Sequence, residues 1–170
     1  MKKIVLYFIL ILSTITYAQQ TTPKKAWLEK WENSKNYLVG IAEAMPEDYF
    51  DFKPTERQMT FKEQLIHIKG NMDWLSNTYF TEVAYKRGET EIPSSKAETI
   101  ALLSEAFDNA LKIIEKAPEA SLANTVNFFA GQKSKLQILT LLQDHVTHHR
   151  GQLIVYLNLK NVEPPKYSGW

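Results

Sequence analysis

The stretch LLQDHVTHHRGQLIVYL, residues 141–157, constrains the fold more than any other part of this sequence. It contains three of the chain's four histidines, His145, His148 and His149. On a helical wheel, His145 and His149 fall within about 20° of the centre of an apolar stripe that also contains Tyr156, and His148 lies at its shoulder. We therefore expect two imidazoles, one turn apart, to point together into the interior of a helical protein.

Three further segments have the apolar spacing of amphipathic helices. Each of the four predicted helices follows a residue typical of helix starts, and three of these residues are followed by Glu or Gln in a capping-box pattern. The capping residues are Thr22, Thr60, Ser95 and Ser134. The predicted helices run from Pro23 to about Met45, from Phe61 to about Tyr79, from Lys96 to Ala117 and from Lys135 to about Lys160.

The predicted fold class is all-α, a four-helix bundle with one core, which a chain of 170 residues with 44% hydrophobic content can bury. No alternating strand pattern of convincing length is present, and residues 118–133 are expected to be irregular, with Phe128–Gly131 over one end of the core. The large aromatic residues are expected in the core, with one or two of them lining a ligand pocket. They are Trp27, Trp31, Trp74, Phe128, Phe129 and Tyr156.

The first residues resemble a secretory signal peptide, because two lysines precede an apolar run from Ile4 to Leu12 and a small-residue cleavage site. We predict a signal peptide over residues 1–18, a single domain over 19–170 and an exported protein, periplasmic or extracellular. An uncleaved anchor is the alternative, but the apolar run is about half of the length that a membrane span needs. No stable membrane span is expected after cleavage.

Composition excludes several classes of partner and of chemistry. The chain has no cysteine, which excludes disulfides, thiolate ligands and a cysteine nucleophile. The formal net charge is +1 without a basic run, so nucleic acid is not an expected partner. Val146 stands where a zincin helix would have its glutamate, and the di-iron, serine-hydrolase and Walker motifs are also missing.

The histidine spacing favours a metal site. Buried imidazoles need polar partners, and a divalent cation satisfies two rings that are four residues apart on one helix. His67, at the edge of the second helix's apolar face, is the candidate third ligand, and a hydrogen-bonded core without metal is the alternative. We expect His148 at the surface or beside the ligands, and Arg150 and Asp144 facing solvent or paired.

The segment DHVTHHRGQLIVYL resembles the last helix of the DinB/YfiT-like family of metalloenzymes, often labelled damage-inducible. MPEDYFDFKPTERQMTFKEQLIHIKGNMDWL and the tail NVEPPKYSGW are similar to other parts of the family. The resemblance implies an up-down-down-up bundle with a long crossover, and it matches His67, His145 and His149 to the metal triad. It further implies zinc or nickel as the metal, and possible homodimers.

The function expected from these residues and this resemblance is a metal-dependent enzyme whose metal keeps an open position for water or a thiol. It would be a hydrolase or a thiol-dependent S-transferase acting on a small molecule that the sequence does not identify. Gln152 is the candidate residue for orienting the water or a substrate carbonyl. The alternative is a non-catalytic bundle that binds a metal or a small ligand. The apparent export signal departs from the S-transferases, whose thiol cosubstrates are cytoplasmic.

Overall fold

The computed structural model describes residues 21–86, 88 and 92–170. The predicted signal peptide lies outside these residues, and the predicted domain boundary stays a prediction. None of the described helices is both long enough and apolar enough to cross a membrane. The helices are α1 (Pro23–Ala44), α2 (Phe61–Phe80), α3 (Lys96–Lys116) and α4 (Lys135–Leu159), with short 3₁₀ helices at Glu47–Tyr49 and Glu119–Ala123 and strands β1 (Thr125–Phe128) and β2 (Gly131–Ser134).

The helices begin at the predicted caps. α2 and α4 both start with complete capping boxes; in α2, Thr60 Oγ1 accepts from the Glu63 N–H at 3.1 Å and the Glu63 carboxylate accepts from the Thr60 N–H at 2.7 Å. The box at α3 is incomplete. Ser95 caps the Glu98 N–H, but the Glu98 carboxylate accepts from the N–H and hydroxyl of Ser94 instead.

Contacts at the helix ends fix the directions of α1, α2 and α3. The Lys24 ammonium at the start of α1 donates to the Ala117 carbonyl after α3, and the Lys96 ammonium at the start of α3 donates to the Met45 carbonyl after α1, each at 2.7 Å. α1 and α3 are therefore antiparallel. Phe50 packs on Phe61 at the start of α2 and lies under the Lys96 ammonium, so α2 and α3 begin at the same end of the bundle.

The direction of α4 completes the bundle. Its Tyr156 hydroxyl, near the end of α4, donates to the carbonyl of Met59, which precedes α2, so α2 and α4 are antiparallel. The Gln143 amide donates to Ser34 Oγ of α1 at 2.9 Å, between parallel helices. The order is up-down-down-up, as predicted, and the connection over residues 81–95 joins opposite ends of the bundle.

The predicted apolar faces of α1 and α2 form the core, in which Trp31, Leu38, Phe61 and Leu65 are at most 1% exposed. Two predictions for the segment before α4 are wrong. It contains an antiparallel hairpin whose Phe128 pairs with Gly131, and Phe129 in its turn is 83% exposed rather than part of the core. Strands of four residues are too short for alternation to identify them.

Candidate metal centre

The structure brings together three histidines from two antiparallel helices. His67 comes from α2, and His145 and His149 come from consecutive turns of α4. One ligand atom from each ring lies within 4.8 Å of the others, and the Nε2 atoms of His67 and His145 are 3.0 Å apart. His67 and His145 are half-buried and His149 is 7% exposed. The pairing of one histidine on α2 with two on α4 thus has the geometry expected from their spacing.

His145 and His149 of α4 are neutral at physiological pH. Burial, followed by the neighbouring imidazoles, lowers the pKa of His145 to about 3 and that of His149 to about 4. A protonated imidazole cannot bind a cation, and metal binding normally has to displace protons from its ligands. Because these two rings stay unprotonated well below neutral pH, their lone pairs are available without that cost.

A chain of hydrogen bonds fixes the tautomer of His149. The Tyr156 hydroxyl must donate to the Met59 carbonyl at 2.7 Å, so its oxygen is left to accept the Gln64 amide N–H at 3.4 Å. Gln64 Oε1 therefore faces His149 and accepts its Nδ1–H at 2.6 Å. The lone pair of His149 is consequently on Nε2. Gln64 lies one turn before His67 on the same edge of α2, but no motif in the sequence indicates this role.

Gln152 contacts two histidines. Its Oε1 accepts from His149 Nδ1 at 3.0 Å and its Nε2 donates to His148 Nε2 at 3.1 Å. The His148 ring is exposed and stands edge-on to His149, with ring centroids 4.9 Å apart. Gln152 therefore supports the orientation of both rings, and its expected role in orienting water or a substrate carbonyl stays a prediction.

The donor set fits a divalent cation. Zinc–imidazole bonds of about 2.0–2.1 Å in tetrahedral geometry separate the ligand nitrogens by roughly 3.3 Å, close to the 3.0 Å between His67 and His145. Among the described residues, the cluster holds three imidazoles and no carboxylate. His145 Nδ1 is buried and has no hydrogen-bond partner among the described residues, so the ring's polar contact is on the His67 side.

An apolar groove lies beside the cluster. Trp74 of α2 stacks on Phe128 and Phe129 of the hairpin, with centroid distances of 5.8 and 6.3 Å. Between the hairpin and α4 is a cavity of about 380 Å³ with an almost wholly apolar lining. Leu141, in that lining, is one helical turn before His145.

Arg150 differs from the expectation. The helical wheel placed it facing solvent or paired, but it is 8% exposed and its guanidinium lies 5.0 Å from the centre of the Tyr37 ring of α1. The physical reason is that α4 packs against α2 on one side and against α1 on another, so it has two buried faces. Asp144 is exposed, in agreement with the expectation.

Comparison with known proteins gives the family. The family model of the DinB family matches residues 18–169. The chain belongs to the DinB family. It is 24% identical over 143 residues to the protein YjoA of Bacillus subtilis (strain 168), an alignment that covers 79% of this chain and 89% of YjoA.

Solved structures of DinB-like proteins have the same fold. A DinB-like protein from Bacillus cereus ATCC 10987 superposes with a TM-score of 0.75 at 14% identity, over 85% of this chain and 97% of that one. The crystal structure of YjoA superposes with a TM-score of 0.68 at 20% identity, over 84% of this chain and 97% of that one. YfiT from Bacillus subtilis superposes with a TM-score of 0.64 at 15% identity, over 82% of this chain and 89% of that one. It is described as a probable metal-dependent hydrolase with an unusual four-helix bundle topology.

Proposed function

We propose that this protein is a metal-dependent hydrolase whose divalent cation, zinc or nickel, is held by His67, His145 and His149. The observation that carries the proposal is the convergence of three imidazoles, with ligand atoms within 4.8 Å of one another and two of the rings held neutral. The description of YfiT as a probable metal-dependent hydrolase supports it. When bound, such a cation supplies Lewis-acid chemistry, lowering the pKa of a water molecule toward about 7 and polarising a carbonyl.

The residues around the cluster have separate tasks. Gln64 and Gln152 hold His149 with Nδ1 protonated, which keeps its Nε2 lone pair available. Neither carboxamide can take up a proton, whereas an imidazole can at neutral pH. His148 is exposed and its Nε2 lone pair accepts from Gln152, so we propose that it takes up the proton in the reaction once this hydrogen bond is released.

The apolar groove provides a place for the rest of a substrate. It begins about one helical turn from His145, and Phe128 and Phe129 form an aromatic wall along it. We propose that the substrate carries an apolar group that lies in this groove while its scissile carbonyl reaches the histidines. The predicted signal peptide would place the reaction outside the cytoplasm.

A non-catalytic metal-binding bundle is the second candidate function. It is favoured by one observation, that the part of the chain described by the structure places no carboxylate in the cluster to serve as general base. A hydrolase and a metal-binding protein share the same ligands, so metal content alone does not distinguish them. Only the hydrolase turns over a substrate in its metal-loaded form and loses that turnover to a chelator.

The test uses untagged protein purified without nickel resin. We expect about one equivalent of zinc or nickel by elemental analysis, with hydrolysis of p-nitrophenyl esters that a chelator abolishes and added metal restores. The double variant His145→Ala/His149→Ala should contain no metal and have no activity. His148→Ala should keep its metal but lose turnover, and unchanged turnover in that variant would overturn the role of His148. Metal-loaded wild type without chelator-sensitive turnover would favour the non-catalytic metal-binding bundle. Full metal content in the double variant would overturn the site.

A further inference from the structure

Arg150 is a buried cation without an anionic partner. It is 8% exposed, its NH1 is buried without a hydrogen-bond acceptor, and among the described residues no carboxylate forms an ion pair with it. Its guanidinium lies 5.0 Å from the ring centre of Tyr37. A cation–π contact stabilises a desolvated cation by less than the free energy that burying an unpaired charge costs. The contact with Tyr37 therefore leaves most of the cost uncompensated.

A second cation lies in the same seam between α1 and α4. Burial, followed by the charge of Arg150, lowers the pKa of Lys30, so the two cations influence each other. The Lys30 ammonium donates to Asn33 Oδ1 at 3.3 Å and to the Gly169 carbonyl, both neutral acceptors. Among the residues that the structure describes, no carboxylate pairs with Lys30 either. The seam thus holds two positive charges that its own side chains leave unneutralised.

The seam also contains an unmatched polar atom, and the C-terminal tail lies on its outside. Gln143 donates to the fully buried Ser34, but its own Oε1 is buried and has no partner in the part of the chain that the structure describes. The C-terminal tail crosses the outside of the seam, where Ser168 accepts from the Asn33 amide at 2.7 Å. Tyr167 of the tail stands edge-on to Tyr37 at 6.2 Å and is itself 80% exposed.

We infer that the seam between α1 and α4 binds a small carboxylate, which pairs with the Arg150 guanidinium and is attracted by Lys30. A guanidinium presents parallel N–H groups that match the two coplanar oxygens of a carboxylate. A singly charged group is the better match because only one of the two cations is deeply buried. This site faces α1, whereas the histidine cluster faces α2, so the inference goes beyond the proposed hydrolase and does not depend on it.

Thermal unfolding of the full chain in the presence of a chelator tests the inference, with sodium acetate as the probe and sodium chloride of equal ionic strength as the reference. We expect 100 mM acetate to raise the Tm of the wild type by about 3 °C, as a ligand of roughly 10 mM affinity would. Arg150→Met should remove the shift, and Lys30→Met should reduce it. In chloride alone, Arg150→Met should unfold at or above the wild-type Tm, because an apolar side chain replaces a buried unpaired charge.

The controls separate this site from the histidine cluster and from general salt effects. Lys25→Met removes an exposed lysine of α1 and should keep the full acetate shift. His145→Ala/His149→Ala should also keep it, whatever happens to its metal content. If Arg150→Met fails to fold, the test rests on Lys30→Met, whose Tm should rise less in acetate than that of the wild type. Three results would overturn the carboxylate site. The first is an acetate-induced Tm shift that is equal in the wild type and in the Arg150 or Lys30 variant. The others are no Tm shift in the wild type, and a larger Tm shift with phosphate than with acetate.

Discussion

The Nε2 atoms of His67 and His145 lie 3.0 Å apart, although the two residues are separated by 78 positions in the chain. At this distance the two nitrogens cannot both carry a proton, so they share either one proton or one cation. His149 lies beside both rings, with ring centroids 4.7 and 4.5 Å from theirs. Three imidazoles placed this closely are better explained by a shared cation than by pairwise hydrogen bonds.

The first prediction concerns these ligands. Replacing any one of His67, His145 or His149 by Ala should lower zinc affinity by at least a hundredfold, because two imidazoles do not complete a protein site. Competition with a chromophoric chelator measures the affinity. His148→Ala is the matched control and should retain affinity within about a factor of three. Loss of affinity in the control equal to that in the three variants would contradict the assignment of ligands.

The second prediction concerns the hydrogen bonds that orient His149. Gln64→Leu removes the acceptor that lies 2.6 Å from His149 Nδ1 and should weaken zinc binding by about 10- to 100-fold, the usual effect of losing a partner that fixes a ligand's tautomer. Tyr156→Phe should have a smaller effect in the same direction, since it leaves Gln64 in place. Circular dichroism checks that the helices are intact. Unchanged zinc affinity in a folded Gln64→Leu protein would show that Gln152 alone orients the ring.

The third prediction is a pH dependence of the metal-free protein. The pKa values of His145 and His149 are about 3 and about 4 in the folded chain, below the ordinary value of 6.5 that applies after unfolding. Between pH 4 and 6.5 the unfolded state therefore binds more protons than the folded state. The stability that these rings provide is complete above about pH 6.5 and is lost as the pH falls toward 3.

Urea unfolding at several pH values, with chelator present, measures this dependence. The wild type should take up between one and two protons from these two rings on unfolding near pH 5, in addition to those taken up by carboxylates. The variant His145→Leu/His149→Leu retains the carboxylates, so the difference in proton uptake between the wild type and this variant gives the contribution of the two rings. Identical pH slopes for the two proteins would mean that the rings are protonated as easily in the folded chain as in the unfolded one.

Helical spacing and capping residues were sufficient to predict the four helices and the shared inward face of His145 and His149. Apolar residues recur at spacings of three and four along α1 and α2, and His145 and His149 lie in an apolar stripe of the same spacing on α4. These are local features, determined by the geometry of a single helix. Their placement opposite His67 depends on the antiparallel packing of α2 and α4, which the family resemblance implied.

The features that were missed depend on packing between elements. A wheel drawn for one helix assumes one buried face, so it could not place Arg150 in a second seam against Tyr37. Gln64 has no motif of its own, and its role is visible only when Tyr156 and His149 are placed around it. The hairpin strands are four residues long, too short for their pattern to differ from a loop.

The last prediction concerns the groove that we propose for the apolar part of a substrate. Phe129 is 83% exposed, so Phe129→Ser should change the free energy of unfolding by no more than about 0.5 kcal/mol. It should nevertheless lower kcat/KM for p-nitrophenyl hexanoate more than for p-nitrophenyl acetate, by roughly three- to tenfold, because only the longer chain reaches the groove. Tyr167→Ser, which removes another exposed aromatic ring on the opposite seam, should leave the ratio of the two values unchanged. Equal losses for both esters would place the apolar group elsewhere on the protein and leave the aromatic wall without a part in substrate selection.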